Sequence, residues 1–230
     1  MMKKLFLLVV IVFLTSCANN KVVARSNPGA YKYKPVEQNV RANKKETAPL
    51  IVIDAGHGGF DLGAHSQTYE EKQICLKTAI YLRKYLEKEG YHVIMTRSRD
   101  EYLPLKKRAE IANQAKCQIL ISIHCNSAKN TSAKGIEIFY TQKTEPWRAK
   151  KSKQLAQSVL SSLLAQTGAD SRGVKEGNFC VIRETKMPSI LIETGFLTNE
   201  DERKKLNNDF YLDTVAKSIT AGVDQYFKSS

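Results

Sequence analysis

Long apolar runs are almost absent from this 230-residue chain. One lies within the first sixteen residues. No later stretch approaches the ~20 apolar residues that a membrane-spanning helix needs, so the remainder is expected to be soluble. Cysteine is scarce, with five in the chain, no C-x-x-C pair and no disulfide-scaffold spacing. There is no internal repeat and no low-complexity region. Several catalytic signatures are missing too. Asp61 stands where G-x-G-x-x-G needs its last glycine, and no G-x-x-x-x-G-K-[ST] occurs, which weighs against a phosphate cradle. G-x-S-x-G is absent, and no serine is followed three residues later by lysine, which leaves the nucleophilic-serine routes empty. H-E-x-x-H is absent, so no helix carries a zincin site. His124 and Cys125 are adjacent on a predicted strand and point to opposite faces, a poor geometry for a cysteine nucleophile.

Charge is abundant and one-sided, with 36 Lys and Arg against 23 Asp and Glu, a formal net charge of +13. More than half of the excess falls in the first 48 residues, and the rest is diffuse. No dense basic helix with interleaved aromatics occurs, so nucleic acid is not the expected partner. Diffuse positive charge suits an anionic neighbourhood such as a membrane or a wall polymer.

The N-terminus opens with "MMKK", continues with the apolar "LFLLVVIVFL" and ends in "LTSC". A basic segment followed by an apolar core too short to span a bilayer reads as an export signal. "LTSC" resembles a bacterial lipobox. That resemblance implies a signal peptide over 1–16, cleavage before Cys17 and lipidation of its thiol. The expected location is periplasmic and membrane-anchored. Ala18, following the cysteine, favours the outer membrane by resemblance to the enteric sorting rule. Residues 17–48 are polar and basic without periodicity and read as a flexible tether, with an end-to-end distance of ~30 Å and an extended reach of ~110 Å. Cys75, Cys117, Cys125 and Cys180 each sit in an apolar-patterned segment and are expected to be small core residues.

From residue 49 onward short apolar runs alternate with helical patterns. "LIVI" (50–53), "YHVIMTR" (91–97), "QILISI" (118–123), "GIEIFYT" (135–141), "NFCVI" (178–182) and "SILIE" (189–193) read as strands. Cys75, Ala79, Leu82 and Leu86 recur at helical spacing before Gly90; Pro104 opens a second helix. Ala156, Val159, Leu160 and Leu163 mark a third, ended near Gly168, and Tyr211, Val215, Ile219 and Tyr226 mark the last. The alternation predicts one α/β domain with a largely parallel sheet.

Ligands gather at the carboxyl ends of strands in such sheets. Three predicted strands end in chemistry-bearing groups: "LIVI" in Asp54 and then His57, "ILISI" in His124 and Asn126, "ILI" in Glu193. Parallel strands bring all three to one edge. Two imidazoles and a carboxylate suit catalytic zinc, which takes three protein ligands and keeps one open position. Glu70 and Glu71, at the start of the first helix, are both candidates for the third ligand. Either is also favoured there by the helix dipole alone. Asp54 is expected to support the turn. Arg183 and Asn126 are candidates for contacts to substrate carboxylates or polar groups, while His65 and His92 lack partners in any motif.

Taken together and in order, "IDAGHGGFDLGA", "EEKQICLKTA", "MTRSRDEYLPLKKRAEIAN", "ISIHCNS" and "KMPSILIETGFLTN" resemble the zinc-dependent N-acetylmuramoyl-L-alanine amidases, which separate cell-wall peptides from glycan. The resemblance spans about 50–228. It implies a mixed, mainly parallel six-stranded sheet flanked by helices, Zn²⁺ as cofactor and peptidoglycan as substrate. It assigns the metal ligands to His57, Glu71 and His124, the E-K pairing selecting Glu71 over Glu70, and the catalytic glutamate to Glu193. Several cell-division members carry a zinc-blocking helix after the strand equivalent to "GIEIFYT". Here only "TQKTEP" lies between that strand and the next helix, so an open site that needs no activator protein is expected. No wall-binding repeat module is recognisable, which leaves targeting to the lipid and the basic tether. The alternatives are a zinc peptidase cutting within the stem peptide and a non-catalytic wall-binding lipoprotein.

Overall fold

The protein is described by a computed structural model over residues 48–66 and 69–229. The signal segment, Cys17 with its lipobox and nearly all of the expected tether lie outside the described residues. In chain order the elements are β1 (Leu50–Ala55), β2 (His65–Ser66), β3 (Tyr69–Glu70), α1 (Glu71–Lys88), β4 (His92–Met95), α2 (Leu105–Ala115), β5 (Ile119–Asn126), β6 (Ile136–Tyr140), α3 (Pro146–Thr167), β7 (Ser171–Glu176), α4 (Cys180–Arg183), β8 (Ser189–Phe196), α5 (Glu200–Leu206) and α6 (Asp209–Lys228).

Six strands form the main sheet in the order β4-β1-β5-β8-β6-β7, and β2 and β3 pair as a small ribbon. β4, β1, β5 and β8 run parallel; β6 is antiparallel to β8, and β7 is parallel to β6. The domain has the largely parallel α/β sheet that the alternation predicts, and it is the mixed, mainly parallel six-stranded sheet that the resemblance implies. The central strands are Ile- and Val-rich because both of their faces are covered.

Strand alternation divides the sheet into two unequal faces. Ile51, Ile53, Ile121, Ile123, Ile190 and Ile192 meet Leu82 and Leu86 of α1, Leu155 and Val159 of α3, and Val215 and Ile219 of α6. The opposite face carries Val52, Leu120 and Leu191 against Ala112 of α2 and Val181 and Ile182 of α4. Three helices of 18, 22 and 20 residues cover the first face, whereas α2 and α4 have 11 and 4. The thinner cover leaves a cleft on the second face, at the carboxyl ends of β5 and β8.

Two elements depart from the sequence-based expectation. "NFCVI" contributes a helical turn, α4, in place of a strand: the Arg183 and Glu184 amides donate to the Phe179 and Cys180 carbonyls, four residues back. A run of four apolar residues is too short for its period to distinguish the two forms. The strand lies just upstream, at β7, where "SRGVKE" has no apolar alternation to announce it. β7 is the sheet's edge, and Arg172 and Lys175 there are the charged residues that keep edges from pairing further. The third difference is an addition: α5 is capped by Asn199, whose side chain accepts from the Asp201 and Glu202 amides. Among the described residues no helix is long and apolar enough to cross a membrane.

Candidate metal centre

Asp54, His124 and Glu193 share strand parity with Val52, Leu120 and Leu191, so all three face the thinly covered side. β5 and β8 are in register with His124 beside Glu193. His57 lies beyond the end of β1, in a turn whose backbone must reverse sharply. Its φ of 57° is left-handed, a strained conformation for a residue with a side chain.

Two buried arginines hold that turn. Arg108 donates through Nη1 to the Ala55 carbonyl at 2.6 Å and to Asp54 Oδ1 at 3.0 Å, and through Nη2 to the His57 carbonyl at 2.7 Å. Arg97 donates through Nε to the Ala55 carbonyl at 2.9 Å and through Nη2 to the Gly56 carbonyl at 2.6 Å. Asp54 also accepts from Thr96 and Ser122 at 2.7 Å each. Burial works against its charge, but Arg108 and the two hydroxyls outweigh it and hold the carboxyl below its usual range. Asp54 therefore supports the turn, as expected, and takes no place in the cleft. Gly56 is required by proximity: a Cβ there would lie 2.4 Å from the ring of His124.

His57, Glu71 and His124 converge, with ligand-capable atoms all within 4.8 Å of one another. Glu71 Oε1 lies 3.1 Å from His57 Nε2 and 2.9 Å from His124 Nδ1. The same oxygen accepts from the Cys125 amide at 3.0 Å, and Oε2 accepts from the Ala64 amide at 2.7 Å. Pairing of β1 with β5 ends at Ala55 and Ile123, and the next amide on that side of β5, that of Cys125, is left for Glu71. His57 Nδ1 lies 2.9 Å from Asp61 Oδ2. A proton on Nδ1 satisfies that carboxylate and leaves Nε2 as a lone-pair donor facing Glu71 and His124, the arrangement that orients metal-binding imidazoles. Burial lowers the affinity of the His57 ring for a second proton, but Glu71 and Asp61 more than offset it and raise its pKa. Burial likewise opposes the Glu71 charge, and hydrogen bonds from His124 and His57 overcome it and hold the carboxyl well below its usual range. Two imidazoles and a carboxylate gathered around one point fit a divalent zinc-type ion. Glu70 points elsewhere, its carboxylate 3.5 Å from Lys72 Nζ, so the geometry separates it from Glu71.

Glu193 lines the same cleft of about 330 Å³, together with His57, Glu71, His124 and Asn126. Its Oε2 is buried and has no hydrogen-bond partner among the described residues. Burial is the largest influence on its carboxyl, partly opposed by His124, with Glu71 and Glu137 adding to it; the pKa is pushed up to about 7. Asn126 reaches the cleft too and donates from Nδ2 to Glu137 Oε1 at 2.6 Å. Arg183 does not: its guanidinium pairs with Glu184 at 2.8 Å and with Asn178 at 3.0 Å, outside the cleft lining. One turn of α4 aims it along its own segment, in a surface structural role. His65 is exposed in β2 and His92 lies in edge strand β4, both apart from the cluster. Cys75, Cys117 and Cys125 are buried and unpaired, while Cys180 is half-buried at the cleft.

Three residues that organise this site carry no role in the sequence reading. Arg97 and Arg108 are the turn's clamps, and Arg108 sits at the position of α2 that places it on the apolar face with Ala112, a signal open to inspection. Glu137 lies opposite Glu193 across β6 and β8 and accepts from Arg172 at 2.9 Å and Lys175 at 2.5 Å. Its carboxylate inside an otherwise apolar strand is the corresponding signal.

The fold and site together define a mainly parallel α/β protein in which two imidazoles and a carboxylate that could hold a metal ion meet beside the carboxyl ends of β1 and β5. Residues 51–225 match the family Amidase_3, N-acetylmuramoyl-L-alanine amidase, and the chain belongs to that family. A curated relative, the probable cell wall amidase LytH of Staphylococcus epidermidis, is 35% identical over 198 residues, 85% of this chain. The chain spans 64% of that relative's length. Among solved structures, an N-acetylmuramoyl-L-alanine amidase from Clostridium difficile 630 is 41% identical with a TM-score of 0.76, covering 80% of this chain and 98% of its own. The catalytic domain of the amidase CwlV from Bacillus (Paenibacillus) polymyxa is 34% identical with a TM-score of 0.73, covering 79% and 99%.

The Asp54–Arg108 pair generates one prediction. Arg108→Met strands a buried carboxylate and should destabilise the protein by about 3–5 kcal/mol in urea unfolding; a loss below about 1 kcal/mol would show that Thr96 and Ser122 suffice. Glu193 generates another. In metal-free protein its folded-state pKa of about 7 exceeds the unfolded value of 4.5, so its stabilising proton is fully present below 4.5 and lost as pH rises through 7. Relative to Glu193→Gln, the metal-free wild type should lose about 3 kcal/mol between pH 4.5 and 8. Parallel pH profiles for the two proteins would refute the assignment.

Proposed function

We propose that this protein is a zinc-dependent N-acetylmuramoyl-L-alanine amidase, which hydrolyses the amide joining the lactyl group of N-acetylmuramic acid to L-alanine in peptidoglycan. The observation that supports it most is the trio His57, Glu71 and His124 with the unpartnered carboxylate of Glu193 facing the same cleft. His57, Glu71 and His124 would hold Zn²⁺, and the ion, when bound, supplies Lewis acidity toward the scissile carbonyl and water.

The protein's own groups do the rest. Asp61 fixes the His57 tautomer, and the Cys125 and Ala64 amides orient the Glu71 carboxylate. Glu193 acts as general base, taking a proton from the attacking water at its free Oε2. It then returns that proton to the departing amine of L-alanine. Burial raises the proton affinity of this carboxyl in the metal-free protein, which helps it hold the proton between the two transfers. Asn126 uses one of its two amide hydrogens on Glu137 and keeps the other for a polar group of the stem peptide.

Residues 141–145 are all that separate β6 from α3, too few for an occluding helix over the cleft. This short connection supports a site that is open without an activator protein to clear it. Lipidation of Cys17 anchors the enzyme to a membrane in the periplasm, the outer membrane being favoured by Ala18, and the basic tether carries the catalytic domain to the wall.

Mass spectrometry of muropeptides released by the purified full chain tests the reaction. Glycan free of peptide is expected; cuts within the stem peptide would make it a peptidase, and no release at all a non-catalytic binder. Glu193→Gln should keep the metal and lose about 10²–10⁴-fold in turnover, whereas His124→Ala should lose both. Full activity in Glu193→Gln at equal zinc content contradicts the mechanism. For the anchor, Cys17→Ser should abolish palmitate labelling in cells and move the protein out of the membrane fraction; unchanged labelling and fractionation would contradict the lipobox reading.

A further inference from the structure

Phe60 is 79% exposed and Tyr102 44% exposed, yet their rings are stacked with centroids 4.1 Å apart and planes 26° apart. The two come from different segments. Phe60 immediately precedes Asp61, the residue that orients His57. Tyr102 lies three residues before Leu105, which is also exposed and lines the cleft. The stack therefore adjoins the site from the rim.

A polar clamp fixes the two segments together. The Gly59 amide donates to Asp100 Oδ1 at 2.8 Å. Lys72 Nζ bridges the Gly59 carbonyl at 2.8 Å and Asp100 Oδ2 at 2.9 Å. The backbones touch so closely that a Cβ on Gly59 would lie 2.6 Å from the Tyr102 nitrogen. Tyr102 thus backs the Phe60 ring on one face, and the other face looks into solvent. The exposed face of a ring backed and clamped in this way is a rigid apolar surface offered to a ligand.

We propose that the Phe60–Tyr102 stack is a sugar platform, on which a pyranose ring of the amino-sugar glycan rests next to the residue whose peptide is cut. The inference rests on the amidase reading and deepens it. The scissile amide hangs from a polymer, and a cleft of about 330 Å³ is the size of a small-ligand pocket and cannot hold a strand of many sugars. The glycan must therefore continue across the surface at the rim. A pyranose presents a face of slightly positive C–H hydrogens, which complements the negative face of an aromatic ring. Its equatorial hydroxyl and N-acetyl groups need polar partners at the ring's edge, and Asp100, bonded to the Gly59 amide and to Gln73, lies in the clamp that holds the stack. Asp100, bonded to the Gly59 amide, and Asp61, next to Phe60 in the chain, put charged groups beside the two rings. A protein partner needs about 800 Å² of matched surface.

The test compares the full chain with its Phe60→Ala and Phe60→Trp variants on two substrates: uncross-linked glycan strands bearing stem peptides, and N-acetylmuramoyl-peptide with a single sugar. Phe60→Ala should raise KM on the strands about three- to tenfold, the size of one aromatic contact, with kcat unchanged. Its kinetics on the single-sugar substrate should equal wild type, and Phe60→Trp should restore strand affinity. Equal effects on both substrates, or none on either, overturn the platform, whether or not Phe60→Ala weakens binding to another protein or to lipid vesicles. Calorimetric binding of an N-acetylglucosamine hexamer makes the result independent of catalysis. Wild type should bind it more tightly than Phe60→Ala, and equal binding overturns the proposal. A wild type that binds the hexamer and leaves both substrates uncut overturns the amidase reading alone.

Discussion

The site depends on a buried ion pair between Asp54 and Arg108. Asp54 closes β1, the strand that leads into the histidine turn, and Arg108 reaches it from α2 while also bonding the Ala55 and His57 carbonyls. Arg97 takes the Gly56 carbonyl between them. Three successive carbonyls of a tight turn would otherwise face a dry interior without donors, at a penalty of about 1–3 kcal/mol each. The guanidiniums satisfy them and hold His57 in a left-handed backbone conformation that its side chain disfavours. Arginine suits this work because its fork of fixed donors can serve several carbonyls at once and remains charged when buried.

With the turn fixed, strand parity supplies the remaining groups. Asp54, Ser122, His124 and Glu193 occupy the sheet face that two short helices cover, and the long helices seal the other face around the Ile-rich core. The division of labour is spatial. One face supplies apolar burial, and the other tolerates an unpartnered carboxylate beside two imidazoles. The same asymmetry accounts for Glu193: it is buried enough to have its pKa raised and open enough to line a cleft.

Much of this was legible in the residues. Apolar runs ending in Asp54, His124 and Glu193 place three polar groups at strand ends, and parallel pairing of β1, β5 and β8 then puts them on one edge. The helices with clear periodicity, α1, α3 and α6, are likewise readable. What escaped had weak or ambiguous local signals. The polar edge strand β7 lacks alternation, and the apolar run at α4 is too short to carry a period. Between Glu70 and Glu71 alternation alone does not choose at an irregular junction; the E-K pairing of the family resemblance selects Glu71, and Glu71 is the one that stands beside the two histidines. Arg183 is placed by the turn of α4, which "NFCVI" did not announce. The clamps Arg97 and Arg108 act on carbonyls far away in sequence, and that pairing becomes visible only when the chain is folded.

The central claim is that His57, Glu71 and His124 bind one divalent ion. X-ray absorption at the zinc edge of the purified full chain measures the ligand set directly. The account predicts a nitrogen- and oxygen-only shell at about 2.0–2.1 Å with the outer-shell signature of two imidazoles, lost on His57→Ala. A sulfur shell near 2.3 Å, as would arise from Cys75, Cys125 or Cys180, or a bound zinc indifferent to His57→Ala, would contradict it.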